Sequence, residues 1–206
     1  MKNIFVISLL LMMLFACKST GDADPGTFTL LNGSAEKGFA GPSGWGRKEG
    51  DNVYFIWAKN EFHSGERSLK IQQKKPKRVF SAWTQTVSKN IPHGEKLTLR
   101  VFIRTEDVKG PGVVIAMRGD ITKQKNGSGE MFVTSHRKKI INGSADWMEY
   151  SISFKEPIRN DIKSITVSLI LLKKTTGSVY FDDVELITGD GAEKTLMLPK
   201  VREEDK

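Results

Sequence analysis

The sequence predicts an all-β fold in which antiparallel strands form a sandwich or a barrel. Apolar residues recur at every second position in several segments, which is the period of a strand with one buried face. Turn dipeptides such as Asn126-Gly127 and Asn142-Gly143 separate these segments. No long segment of the central region keeps the 3.6-residue period of a helix. About ten short strands divided by turns are typical of sandwiches and barrels.

The individual strands follow from this alternation. In residues 97–104, four aliphatic side chains share one parity, and residues 148–154 repeat the pattern. Residues 164–172 carry apolar side chains on both parities, which predicts a more central strand. The remaining candidates are residues 53–57, 68–72, 79–87 and 112–119.

The amino terminus has the pattern of an export signal. Lys2 precedes an apolar run at 4–16, which is shorter than the ~20 residues that a helix needs to cross a bilayer. Leu14-Phe15-Ala16-Cys17 resembles the lipobox of bacterial lipoproteins, and the resemblance implies cleavage before Cys17 and lipidation of its thiol. The alternative is a buried thiol on an ordinary secretory peptide or helix. The prediction divides the chain into a lipoprotein signal peptide (1–16), an acylated cysteine with a flexible tether (17–27), a β-sandwich domain (28–188) and a polar tail (189–206).

Composition limits the classes of partner. Cys17 is the only cysteine, so the domain must fold without an internal disulfide. The chain has 32 basic and 24 acidic side chains, and removal of Lys2 with the signal peptide leaves a formal charge of +7. This excess makes anionic partners plausible, but the basic clusters at 74–78 and 137–139 come without a nucleic-acid-binding motif, so nucleic acid is not expected. The resemblance to lipoproteins also implies a location: an aspartate after the acylated cysteine would resemble the inner-membrane retention signal of enteric bacteria, and Lys18 stands there instead, which favours the outer membrane.

The segment Gly177–Ile187, GSVYFDDVELI, changes its apolar phase in the middle. Val179 and Phe181 lie on one parity, whereas Val184 lies on the other, so Asp182 and Asp183 stand where the phase changes. Either a β-bulge restores one core face there, or a carboxylate points inward and requires a partner to offset its desolvation.

Six short patterns occur in an order that resembles the carbohydrate-binding modules of families 4, 9 and 22. They are LLNGSAEKGFAGPSGW (30–45), HSGERSLKI (63–71), SAWTQTV (81–87), GEKLTLRVFIRTEDVKGPG (94–112), DWMEYSISFKEP (146–157) and GSVYFDDVELI. The resemblance implies an antiparallel β-sandwich, a galactose-binding-like jelly roll, in which the first and last strands lie together.

The same resemblance implies a structural calcium ion between these ends. Its candidate ligands are Glu36, Asp182 and Asp183, since calcium takes 6 to 8 oxygen ligands. Ala35 stands where the family usually has an aromatic residue, which is a departure next to this site. The alternative is a bulge whose two acids are solvated or bonded to the backbone.

Two groups of residues are candidates for contacting a sugar. Trp83 and Gln85 share one parity, so an exposed ring could stack on a pyranose while the amide bonds hydroxyls; the alternative is burial of Trp83. Phe102 stands between Arg100 and Arg104 on the polar parity, which favours an acidic sugar through stacking and bidentate contacts. The alternative is a solvated face on which the arginine stems cover the ring.

Catalytic patterns are weak. His63, His93 and His136 lack metal-site spacing, and Gly41-Pro42-Ser43-Gly44-Trp45 misses the nucleophile elbow at its last position. The sequence therefore predicts a non-catalytic, membrane-anchored lipoprotein that binds a polysaccharide or glycan, with an acidic glycan as one option. The alternative is a structural or protein-interaction lipoprotein with the same fold and no sugar site.

Overall fold

The computed structural model describes residues 28–48, 53–121, 131–137 and 140–189. The predicted signal peptide, Cys17, the tether and the tail beyond Gly189 lie outside the described residues. The described part contains nine strands and one 3₁₀ turn, Ser135–Arg137. The strands are β1 (Gly46–Lys48), β2 (Tyr54–Ala58), β3 (Ser68–Gln73), β4 (Ser81–Val87), β5 (Leu97–Asp120), β6 (Met131–Thr134), β7 (Ile141–Ser153), β8 (Ser164–Leu171) and β9 (Thr176–Thr188). Within these ranges no helix is long and apolar enough to span a membrane.

All strand pairs are antiparallel, and β5 belongs to both layers of the sandwich. Its first half pairs with β9 and β7, and β9 continues through β3 to β2, which forms the first layer. Its second half pairs with β8 and β6, and β8 continues through β4 to β1, which forms the second layer. The strand turns between the layers at Gly110-Pro111-Gly112. Both glycines have positive φ, and a Cβ on either would lie 2.5 Å from a backbone carbonyl oxygen.

The core lies between the layers and follows the predicted alternation. Leu97, Leu99, Val101 and Ile103 of β5 are buried, as are the four alternate apolar residues of β8. Burial of this parity removes the apolar face of each strand from water, which is the main favourable contribution to folding. The all-β antiparallel fold predicted from the sequence is therefore confirmed.

The change of apolar phase in β9 is a β-bulge. Arg100 pairs with Glu185 whereas Phe102 pairs with Asp182, so one residue of β5 faces two residues of β9. Asp183, with φ 45°, is the extra residue, and it shifts the inward-facing parity of β9 by one, so that Val184 faces the core. The bulge is therefore confirmed, and the structure also buries the Asp182 carboxylate, which backbone amides partner.

The opening segment meets the closing strand at this bulge. The amide of Val184 donates to the carbonyl oxygen of Gly33 at 3.0 Å. A Cβ at Gly33 would lie 2.1 Å from the carbonyl oxygen of Val184, so the two backbones approach as closely as a glycine allows. The predicted proximity of the two ends of the domain is confirmed.

Candidate functional site

A groove of about 650 Å³ crosses the outer face of the second layer. Its floor is a row of four small residues that are neighbours across β4, β8, β5 and β6: Thr84, Ser168, Ala116 and Thr134. Four strands at ~4.8 Å spacing make this row ~14 Å long. The small side chains leave room above the strands for an extended ligand.

Larger side chains form the two banks of the groove. Phe80, Ile170 and Leu172 line one bank, whereas Arg118 and its neighbour across the β5–β6 pair, Phe132, line the other. Phe80 and Phe132 are 36% and 63% exposed. Exposed rings on either side of a trough can stack on the apolar faces of sugar rings, and the floor hydroxyls can bond to a ligand.

The charged groups at the groove are basic. They are Lys48, Arg118 and Lys173, and none of the described lining residues is Asp or Glu. The Lys48 ammonium lies 4.4 Å from the centre of the Phe80 ring. Arg118 also pairs with Asp120, with 2.8 Å between Nε and Oδ1. The groove therefore combines aromatic banks with a positive charge.

Trp83 and Gln85 are not part of this groove, and the prediction that they contact a sugar is corrected. Both face the interior: Trp83 is 0% exposed, its ring meets Phe55 edge to face, and its Nε1 donates to the carbonyl oxygen of Lys70. The Gln85 amide accepts from the Leu31 N–H at 2.6 Å and donates to the Leu31 carbonyl oxygen at 2.9 Å. These contacts hold the opening segment against β4.

Arg100, Phe102 and Arg104 lie together on the outer face of the first layer, as their shared parity predicted, but protein groups already occupy them. The His63 ring stacks on Phe102 with centroids 3.6 Å apart and an interplanar angle of 13°. Arg100 pairs with Glu185. The predicted open platform for an acidic sugar is therefore corrected, because its ring is covered and its arginines are paired with carboxylates.

Arg104 is the centre of a charged network on this face. It pairs with Glu61, and its Nη1 lies 3.1 Å from Glu106, which accepts a hydrogen bond from the Tyr180 hydroxyl. Burial opposes the charge of Arg104, but the hydrogen bond and charge of Glu61 and the charge of Glu106 together raise its pKa. Burial and the hydrogen bond to Glu106 raise the pKa of Tyr180 above its ordinary range. A shallow cleft of about 510 Å³, bordered by Trp147, adjoins the network.

The three predicted calcium ligands converge on one loop, residues 61–67, which we name the clasp loop. Asp182 is 0% exposed and its Oδ2 accepts from the amides of His63 and Ser64, at 2.8 and 3.1 Å. Asp183 contacts the His63 Nδ1 at 2.7 Å and the Ser64 hydroxyl at 2.8 Å. Glu36 accepts from the amides of Glu66 and Arg67.

These acids do not fit a calcium ion in this arrangement. The second oxygen of Asp182 accepts from the amide of Asp183, and the second oxygen of Glu36 accepts from Glu66, so each carboxylate oxygen of the three acids faces a donor. In the described ranges no three His, Cys, Asp or Glu side chains have a geometry that could hold a metal. Burial and the charge of Asp183 raise the pKa of Asp182 to about 7, although the amide hydrogen bonds lower it.

The sequence did not single out the residues of the groove. Thr84, Ser168 and Ala116 are small residues at outward positions of strands and carry no individual signal. Phe132 lies between Met131 and Val133, so the short strand β6 shows no alternation of apolar and polar residues. The signal that could have found them is the outward parity of β8, where Thr166 and Ser168 alternate with a buried aliphatic row.

No protein-family model matches the sequence, and no curated protein matches it. The fold, however, is similar to solved structures. The CBM22-1 xylan-binding domain of Paenibacillus barcinonensis Xyn10C matches with a TM-score of 0.52 and 12% identity, over 81% of this chain and 97% of that chain. A CBM4 structure matches with a TM-score of 0.51 and 14% identity, over 77% of this chain and 99% of that chain.

Other matches have different functions. A cyclase from Fischerella sp. TAU has a TM-score of 0.53 and 15% identity, over 79% of this chain and 98% of that chain. The tailspike protein 4 of bacteriophage CBA120 has a TM-score of 0.51 and 11% identity, and the match covers 71% of this chain but only 19% of that chain. At these identities the likeness concerns the fold alone. The fold of this chain is the jelly roll of the carbohydrate-binding modules, as its ordered sequence motifs predicted.

Proposed function

We propose that this chain is a non-catalytic glycan-binding protein and that the groove of the second layer holds the glycan. The observation that carries the proposal is the row of small floor residues between the exposed rings of Phe80 and Phe132. A linear polymer requires an open trough with flat apolar surfaces, and this groove supplies both. The shared fold with modules whose names describe carbohydrate binding supports the proposal.

An acidic glycan is the ligand class that the groove favours. Lys48, Arg118 and Lys173 border it, and the described lining residues include no carboxylate that would repel an anion. The acidic ligand predicted for the Arg100–Arg104 face is thus reassigned to the opposite layer. Glycoside hydrolysis by the common mechanism uses two facing carboxylates, which the described lining residues do not provide, and this supports a binding role.

Binding isotherms against three polymers test the proposal: a neutral xylan, a polygalacturonate and a sulfated dextran. We expect Phe132→Ala and Phe80→Ala to weaken binding by about tenfold each, since an aromatic contact contributes ~1 kcal/mol or more. Tyr54→Ala is the matched control, because Tyr54 is a 53% exposed aromatic residue on the other layer. Equal affinity in all four proteins would overturn the assignment of the groove.

Charge variants test the ligand class separately. Lys48→Gln and Lys173→Gln should weaken binding of the two anionic polymers and reduce the salt dependence of that binding, while leaving any binding of neutral xylan unchanged. If the protein binds only xylan and these variants do not change that binding, the groove remains the assigned binding site, but the acidic ligand is refuted.

The proposal includes a lipid anchor at Cys17 and an outer-membrane location. Its support is the lipobox-like sequence before Cys17 and the lysine after it. Fractionation of cells that express the wild-type chain and Cys17→Ala tests it. The wild type should enter the outer-membrane fraction and the variant should not, and identical fractionation would contradict the anchor.

A further inference from the structure

We propose that the clasp loop takes the place of the calcium ion that the fold resemblance implies, so that the two ends of the domain are held together without a metal. The ion would have to lie between Glu36 of the opening segment and Asp182 and Asp183 of the closing strand. Residues 61–67 bind all three of these side chains.

The loop supplies hydrogen-bond donors in place of a positive ion. The amides of His63, Ser64, Glu66 and Arg67 all point at carboxylate oxygens, at distances between 2.8 and 3.1 Å. Successive backbone N–H groups in a turn form a concave site of positive partial charge that binds anions. Here the anions are the protein's own side chains, which come from two segments that are distant in sequence.

The close approach of Glu36 to the loop leaves no space for an ion between them. Gly65 has φ 67°, and a Cβ there would lie 2.4 Å from Oε1 of Glu36. The loop is also fixed from its other side, because the His63 ring stacks on Phe102 and the Ser68 hydroxyl donates to the carbonyl oxygen of Glu61. The donors are therefore held in place against the acids.

Thermal unfolding of the full chain in excess EDTA and in excess calcium is the first test. We expect the two midpoints to agree within about 1 °C, and elemental analysis of the purified protein to find no stoichiometric calcium. An ion bound at 1,000 times its Kd would raise the midpoint of a domain of this size by roughly 10 °C. A rise of that order in calcium, relative to EDTA, would overturn the proposal.

Two substitutions of Glu36 give a second, independent test. Glu36→Gln keeps one carbonyl oxygen, which can replace the Oε1 that accepts from both Glu66 and Arg67, but it loses the charge and the second contact with Glu66, so its midpoint should fall by only about 2 °C. Glu36→Ala removes the acceptor and should lower the midpoint by roughly 5 °C. Glu66→Gln, an exposed acid of the same loop, is the control and should have no effect.

A calcium site would respond differently, because the ion requires the charge of Glu36. Equal losses in Glu36→Gln and Glu36→Ala, with Glu66→Gln unaffected, would therefore overturn the proposal. Because both tests measure unfolding and metal content, their failure is independent of whether the groove binds a glycan.

Discussion

We expect the Gln85 side chain to stabilise the fold and not to contact a ligand. Its amide forms two hydrogen bonds with the backbone of Leu31, one through each polar atom, and its side chain is only 7% exposed. A hydrogen bond contributes ~0.5–1.5 kcal/mol net, so Gln85→Met, which keeps the length of the side chain, should cost about 1–3 kcal/mol. For a domain of this size, a loss of ~2 kcal/mol lowers the unfolding midpoint by about 4–8 °C.

Urea unfolding followed by tryptophan fluorescence measures this loss. Gln85→Glu should be less stable than Gln85→Met at neutral pH, because it buries a charge and places a carboxylate oxygen against the Leu31 carbonyl oxygen. It should recover stability at low pH, where the protonated carboxyl can donate to that oxygen. Gln72→Met is the control, since the Gln72 amide makes a single 3.1 Å bond to Ser178. The reasoning fails if Gln85→Met is as stable as the wild type, or if it loses glycan affinity while its stability is unchanged.

Three further results are expected. Because the folded pKa of Asp182 is raised from 3.8 to about 7, its contribution to stability is complete below its unfolded pKa and is lost as pH rises through about 7. The loss amounts to at most ~4 kcal/mol. The unfolding midpoint of the wild type should therefore fall from pH 4 to pH 8, and the midpoint of Asp182→Asn should depend less on pH. An equal pH dependence in both proteins would assign the effect to another group. Gly33→Ala places a Cβ 2.1 Å from the Val184 carbonyl oxygen and should cost ~3 kcal/mol in urea unfolding; a wild-type midpoint would refute this contact. Phe102→Ala should lower stability by ~1 kcal/mol through loss of the His63 stack, yet leave the Kd for glycan unchanged. A weaker Kd would return the ligand site to the first layer.

The sequence predicted the strands within each layer better than the turn of β5 that joins the two layers. Alternation in residues 97–104 and 164–172 identified strands because their buried parity is aliphatic throughout. Gly110-Pro111-Gly112 has the composition of a turn, and it divided β5 into two predicted strands. In the structure the chain does turn at these residues, but β5 pairs with β9 before the turn and with β8 after it, so the two predicted strands are one continuous strand. The short strands β1 and β6 have no buried alternation and were not predicted.

The binding site was harder to predict than the fold. A tryptophan and an arginine–phenylalanine pattern stand out in a sequence, but Trp83 is buried and Phe102 is covered by His63. The loop that covers Phe102 comes from another part of the chain, so the parity of a strand cannot reveal it. The groove depends on which small residues become neighbours across strands, and this register exists only in the folded chain. By contrast, the sequence did indicate the bulge at Asp182 and Asp183, because the change of apolar phase can be read from β9 alone.

The strand that joins the two layers also affects how the domain folds. Leu97 pairs with Thr188, a residue about 90 positions away, so the centre of the sheet cannot form until nearly the whole domain is available. Closing such long loops costs chain entropy before the contacts are gained, and proteins of this topology acquire their native state in milliseconds to seconds. During that interval the unpaired strands can associate with other chains. Newly made protein is therefore most prone to aggregation before β9 has been synthesised and has paired with β5.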